Sequence, residues 1–356
     1  MLANLIAFTI GLLALIAGAR LLVRGASKLA LSFGVSPLVI GLTIVAMGTS
    51  APEVAVSVGA ALDGRTDLAV GNVVGSNIFN VLFILGLSAL IAPLTVNAQL
   101  IRQEVPIMIG ASLLLIVLAA DGRLGMLESV LLLALLVAYT AFLIVQSRRE
   151  SAATRDEYAE ALPPDRAWDR HWSIQVLLIL AGLVLLVFGA KWLVDAAIAF
   201  ARAAGVSELV IALTIVAAGT SMPEVATSVT AALKGERDIA VGNVVGSNVF
   251  NILGCLGASG LVGGGLPVPA AALAFDLWVM LAAAFACLPV FMTSREIARW
   301  EGGLFIGYYF AYAAFLVLAA RHHQALPSFS AAMLSFVIPL TIVTLLVSLL
   351  RTKRAG

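Results

Sequence analysis

Charge is what this chain has least of. Asp, Glu, Lys and Arg make up 12% of its 356 residues, about half the ~25% usual in a soluble domain. A soluble helical core would need polar helix faces, and most segments here have none. Acids and bases nearly cancel, 20 against 21, so a net charge of +1 offers no basic field for nucleic acid. Histidine is reduced to His171, His322 and His323, all in expected loops. That removes the usual general base for an intramembrane hydrolase built on Ser50 or Ser221, and no HExxH pair is present for a zinc protease. The two cysteines, Cys255 and Cys287, lie in apolar segments and suit buried thiols better than a disulfide. Met1 to Ala19 lacks the basic start of a cleaved leader and runs on into a helical pattern.

What the chain does have is apolar length. It is 62% hydrophobic, with a mean hydropathy of +1.07, and apolar runs recur that can each cross a bilayer core of ~30 Å. Eleven transmembrane helices are expected, near 3–27, 36–61, 67–92, 104–120, 124–146, 173–199, 206–233, 239–262, 271–292, 302–319 and 328–350. One polar stretch, Ser147 to Trp172, interrupts them; it holds Glu150, Arg155, Asp156, Glu157, Pro163, Pro164 and Asp169 and is too short for a domain.

This linker separates two copies of one sequence. Gly34–Gly86 and Gly205–Gly257 align without a gap, each residue matching the one 171 positions later, and 39 of 53 pairs are identical. Five spans, an odd number, separate the copies, so the second must enter the membrane upside down. The expected fold is therefore an all-α integral membrane protein. Two inverted five-helix repeats, 1–146 and 173–319, flank the linker 147–172, and an eleventh helix and tail occupy 320–356. Inverted repeats mark many secondary transporters, with the substrate site near the midplane where the repeats meet. With the N-terminus outside, sixteen of the 21 Lys and Arg residues fall on one face and five on the other. The bias places the linker and the C-terminus in the cytoplasm of a plasma-membrane protein.

Two polar patches interrupt the apolar helices of each copy. The first is Gly48-Thr49-Ser50-Ala51-Pro52-Glu53, repeated as Gly219-Thr220-Ser221-Met222-Pro223-Glu224. A charged side chain inside a span costs ~2.5–3.5 kcal/mol or more, so a glutamate there implies a pathway or a partner. No intramembrane lysine or arginine lies near enough in sequence to make Glu53 and Glu224 mere ion-pair glue. Pro52 lacks an N–H, which frees the Gly48 carbonyl, and such broken backbone survives at depth only in protein or a wet cavity. Thr49, Ser50 and Glu53 share one face at i,i+4 and i,i+3 spacing.

The second patch is Gly71-Asn72-Val73-Val74-Gly75-Ser76-Asn77-Ile78-Phe79-Asn80, repeated from Gly242 to Asn251. Asn72, Ser76 and Asn80 form a stripe, and Gly71 and Gly75 would let another helix approach closely. For Asn72, Asn77, Asn243 and Asn248 a helix-gluing role is as good a reading as ion binding. Glu104, Glu128, Asp276 and Glu301 are expected at helix N-termini, where the dipole favours an acid. Every candidate ligand is a hard oxygen, which suits Ca2+, Na+ or Mg2+; the mixed set suits the irregular six to eight oxygens of Ca2+ better than the octahedron of Mg2+.

The two patches resemble the α-repeats of the calcium/cation antiporter family, which includes the sodium/calcium exchangers. GTS-x-PE and GNVVGSN-x-FN occur twice, in order and at equal spacing, and the likeness spans about residues 1–319. The resemblance implies ten helices in two inverted halves, with helices two, three, seven and eight around the ions. It further implies that Glu53 and Glu224 bind Ca2+ and Na+. Thr49 and Thr220 would add carbonyl and hydroxyl oxygens, Ala46 and Ala217 carbonyls. Ser50, Ser76, Ser221 and Ser247 would complete the Na+ positions, with Asn80 and Asn251 at the centre. Ca2+ and Na+, or H+ in a close rival, are then substrates; no cofactor and no obligate protein partner is implied, only membrane lipid. Many relatives carry an aspartate at one central position where this chain has Asn80 and Asn251, which weakens the case for K+ co-transport. The eleventh helix exceeds the family's ten.

Overall fold

The computed structural model describes residues 2–147, 169, 171–204 and 217–345. Almost all of the expected linker, the first half of the expected seventh span and the C-terminal tail lie outside the described residues. The apolar runs form α1 (Leu2–Phe33), the broken pair α2 (Pro37–Thr49) and α3 (Ala51–Leu62), α4 (Thr66–Ile91), α5 (Leu100–Leu118) and α6 (Met126–Ser147). The second half gives α7 (Trp172–Ala203), a short turn at Ala217–Gly219, α8 (Met222–Leu233), α9 (Arg237–Val262), α10 (Ala272–Met292) and α11 (Arg299–Ala320). Beyond them α12 (Leu326–Leu345) is an additional apolar helix of membrane-spanning length. Among the described residues nine helices can cross a membrane alone, and the bent α2–α3 pair makes a tenth span. The expected span missing from this count is the seventh, 206–233, which is described only from Ala217 onward. α1 outruns its expected end at 27, because the helix carries Lys28 into a buried setting and continues to Phe33.

The two halves are related by exchange. α1 crosses α7 so closely that a Cβ on Gly18 would lie 2.8 Å from the Gly182 carbonyl, and one on Gly11 2.8 Å from that of Gly189. Gly11 and Gly18 are matched, at 171 positions, by Gly182 and Gly189, so the contact is reciprocal. Rising numbers on α1 meet falling numbers on α7, so the equivalent helices run antiparallel. That requires a two-fold axis across the helices, in the plane of a membrane they span: the repeats are inverted.

Two short ribbons carry the same exchange outside the bundle. β1 (Leu94–Thr95) pairs antiparallel with β4 (Glu296–Ile297), and β2 (Arg123–Leu124) with β3 (Leu266–Pro267). Each joins a loop of one half to a loop of the other, at opposite ends of α5. At the centre, α4 and α9 are the most enclosed helices, the latter almost wholly buried. Each widens at one place into π-helical turns, Asn80–Leu85 and Asn251–Leu256, a distortion that often accompanies function.

α12 touches the rest through Tyr308 of α11, whose hydroxyl donates to Thr341 Oγ1 at 2.7 Å. Leu345, at its end, is buried, while Leu334, Phe336, Leu340, Ile342 and Val343 face outward, as lipid contact demands.

Candidate functional site

The proline of each GTS-x-PE motif breaks its helix where the sequence predicts. Pro52 and Pro223 sit in the first turn of α3 and α8, and the preceding Ser50 and Ser221 leave helical geometry at φ/ψ of −80°/7° and −88°/10°. The first break bends the chain by 45°. It turns Thr49 and Ser50 off the helix end and aims Glu53, one turn on, at the same point. Proline at this position costs no helical hydrogen bond, because a first-turn N–H has no partner within its own helix.

Most of the polar contacts of the motif side chains then cross between halves. Ser50 Oγ donates to Glu224 Oε1 at 3.0 Å, and Ser221 Oγ donates to Glu53 Oε1 at 2.8 Å. Thr49 Oγ1 donates to Asn243 Oδ1 at 3.1 Å, and Thr220 Oγ1 to Asn72 Oδ1 at 3.3 Å. Asn72 and Asn243 in turn donate to Ser57 Oγ at 3.0 Å and Ser228 Oγ at 2.9 Å. Ser221 also reaches Ser76 Oγ at 3.2 Å. Glu53 and Glu224 are buried, as are Thr49, Ser50, Ser76, Asn80, Ser221, Ser247 and Asn251.

Each glutamate therefore has one oxygen held by a serine of the opposite half, while Oε2 of Glu53 and Oε2 of Glu224 have no donor among the described residues. Asn80 Oδ1 and Ser247 Oγ are likewise buried without a partner. A buried polar atom without a hydrogen bond is costly, and a bare carboxylate oxygen more so. Such a group of hard oxygens fits a hard cation.

The remaining expected site residues behave as follows. The Ala46 carbonyl accepts from Ser50 N at 3.0 Å and Thr49 Oγ1 at 3.3 Å. Ala217 begins the short turn Ala217–Gly219, where the described residues resume after 204. Asn80 and Asn251 occupy the first residues of the π-helical turns and bond across to Asn248 and Asn77. The close helix approach expected at the glycines is found in the second copy. A Cβ on Gly246 would lie 2.5 Å from the Leu42 carbonyl and 2.9 Å from Ala46 Cβ. Gly71 and Gly75 have no described neighbour within 4 Å; the segment equivalent to the one covering Gly246 lies outside the described residues.

Sequence reasoning missed Ser57, Ser228, Met108 and Met280. The two serines carried a signal, standing one turn beyond Glu53 and Glu224 in both copies. The methionines carried none, since α5 and α10 fall outside the repeated block. Glu104 and Asp276 also differ from expectation. They lie inside their helices, not at the first turn, and are held by tyrosines: Tyr139 OH donates to Glu104 Oε2 at 2.7 Å and Tyr312 OH to Asp276 Oδ1 at 2.8 Å. Glu301 does act at a helix start, accepting from Ala298 N at 2.9 Å.

Residues 3–145 and 174–318 each match the family described as sodium/calcium exchanger protein. CaxA of Alkalimonas amylolytica, which carries an antiporter name, is 41% identical over 311 residues, 84% of this chain and 95% of its own. The sodium/calcium exchanger MaX1 of Methanosarcina acetivorans is 33% identical over 340 residues, 87% of this chain and 97% of its own. Among solved structures, the sodium-calcium exchanger NCX_Mj superposes with a TM-score of 0.75 at 29% identity, across 88% of this chain and 98% of that one.

Proposed function

The chain belongs to the sodium/calcium exchanger family, a family of antiporters and not enzymes, and from that premise we propose that it moves Ca2+ against Na+ through the buried oxygen cluster. The observation that carries this reading is the set of donorless oxygens, Glu53 Oε2, Glu224 Oε2, Asn80 Oδ1 and Ser247 Oγ, gathered from both halves.

Two ionised glutamates give the site a formal charge of −2, which a low-dielectric interior does not tolerate uncompensated. One Ca2+ compensates it, and so do two or more monovalent ions. The same carboxylates cannot serve both at once, and that exclusion makes the cycle an exchange. Ca2+ would draw mainly on Glu53 and Glu224, with Thr49 and Thr220 and the carbonyls of Ala46 and Ala217 completing its shell. Na+ would add the hydroxyls of Ser50, Ser76, Ser221 and Ser247, with Asn80 and Asn251 between the ion positions. Inverted halves then expose the site to either side in turn.

We place the protein in a bacterial inner membrane, N-terminus outside, on the Lys and Arg bias and the inner-membrane name of a 37% identical relative, YrbG of Escherichia coli. The test is 45Ca2+ uptake into vesicles under Na+, H+ and K+ gradients imposed one at a time. Uptake driven by an outward Na+ gradient supports the reading. Uptake driven by H+ alone makes it an H+-coupled antiporter, and no gradient-driven uptake of any kind ends it.

A further inference from the structure

The central asparagines pose a question of orientation. A carboxamide offers oxygen at one end and NH2 at the other, and only the oxygen can face a cation. Asn80 and Asn251 must therefore be held one way round. The structure holds them through Asn77 and Asn248, the neighbours that the ligand set leaves out.

Asn77 Nδ2 lies 3.1 Å from the Asn248 carbonyl oxygen and 3.6 Å from Met280 Sδ. Its twin does the same: Asn248 Nδ2 lies 3.3 Å from the Asn77 carbonyl oxygen and 3.5 Å from Met108 Sδ. A carbonyl oxygen and a thioether sulfur only accept. Turning either amide over would set its oxygen against two acceptors, so the NH2 groups of Asn77 and Asn248 are fixed by chemistry. Their oxygens must then point the other way. Asn77 Oδ1 accepts from Asn251 Nδ2 at 3.0 Å, and Asn248 Oδ1 from Asn80 Nδ2 at 3.0 Å. With their NH2 groups so engaged, Asn80 and Asn251 have only oxygen left to present. Among the described residues Asn80 Oδ1 has no donor, and Asn251 Oδ1 has only the weak Cys255 thiol at 3.5 Å.

We propose that Asn77 and Asn248, anchored on each other's carbonyls and on Met280 and Met108, are positioning residues that force Asn251 and Asn80 to turn amide oxygen and not NH2 toward the transported cation. The proposal rests on the exchange reading and deepens it. Asn77 governs the amide of the opposite half, as Asn248 does, so each copy orients the central ligand of the other.

A carboxylate has oxygen at both ends and no orientation to lose, which supplies the test. In vesicles, Asn77→Ala should raise the Ca2+ concentration for half-maximal uptake about tenfold, the size expected from one lost or inverted buried hydrogen bond. Maximal rate should change much less. In the Asn251→Asp background the same Asn77→Ala change should shift that concentration less than about twofold, because the group at 251 offers oxygen either way. Asn248→Ala, with and without Asn80→Asp, repeats the test should Asn77→Ala fail to reach the membrane. A residue that merely glued helices would show the same defect in both backgrounds. An unchanged Asn77→Ala, or a defect that persists with Asn251→Asp, overturns the orientation proposal while wild-type uptake stands. Wild type that moves no Ca2+ fails the exchange reading itself.

Discussion

Glu53→Gln is the sharpest perturbation this site allows. Glutamine keeps the length of the side chain and a carbonyl oxygen that can still accept from Ser221 Oγ, now 2.8 Å from Glu53 Oε1. What disappears is one unit of charge at a buried oxygen that no donor compensates. A site of −2 facing a dication becomes a site of −1. At an effective dielectric of ~20 and a separation of ~4 Å, one carboxylate contributes on the order of 4 kcal/mol of attraction per unit charge before desolvation. A third of that already changes affinity about tenfold. The assay is the concentration dependence of Na+-driven 45Ca2+ uptake in reconstituted vesicles, with folding checked by monodisperse elution. Glu224→Gln should weaken uptake to a similar degree, since its surroundings mirror those of Glu53 through Ser50, and the double variant should not transport. Protons act on the same charges, so acidification on either side should suppress Ca2+ exchange. Wild-type uptake by both folded single variants would refute the reasoning.

Other perturbations separate the parts of this account. Ser76→Ala and Ser247→Ala should weaken Na+ dependence more than Ca2+ affinity, because hydroxyls suit a monovalent ion and carboxylates the divalent one; equal losses, measured as half-maximal concentrations, would count against distinct positions. Gly18→Leu should lower the detergent melting temperature and abolish uptake, since its Cβ alone would lie 2.8 Å from the Gly182 carbonyl and overpacking costs ~1–3 kcal/mol or more. Gly110→Ala, where nothing lies within 4 Å, should leave the melting temperature within a few degrees of wild type. A reporter active only in the cytoplasm, fused after Gly356, should give signal; silence there with an active external reporter would leave ten or twelve spans as the better count.

The repeat and its inversion were legible because a fixed offset and an odd number of spans need no three-dimensional information. The proline breaks were legible too, since a missing N–H acts locally at Pro52 and Pro223. What escaped is what depends on the opposite copy. Ser50 to Glu224, Asn77 to Asn251 and Met108 to Asn248 join residues well over a hundred positions apart, and spacing within one helix says nothing about them. Asn77 and Asn248 read equally well as helix glue or as ion ligands, because the acceptors that fix their amides, each other's carbonyls and Met280 and Met108, lie on the opposite half. Glu104 and Asp276 looked like helix-start acids because the tyrosines that hold them are on the following helix.

The reciprocal contacts have a consequence in the terms of oligomers. An interface in which i meets j and j meets i is isologous, the interface of a two-fold homodimer, and this chain is such a dimer with its subunits fused. A true homodimer would have to make its two end states, open to one side and open to the other, equal in energy. Fusion lifts that requirement wherever the copies have diverged: Met47 against Ala218, Val56 against Thr227, Ile84 against Cys255. Thr227 adds a buried hydroxyl three residues after Glu224, where Val56 follows Glu53 at the same interval, and Cys255 places a thiol on Asn251 where Ile84 has none to place on Asn80. At these positions the two faces of the exchanger are free to differ in affinity, and so to favour one direction of loading.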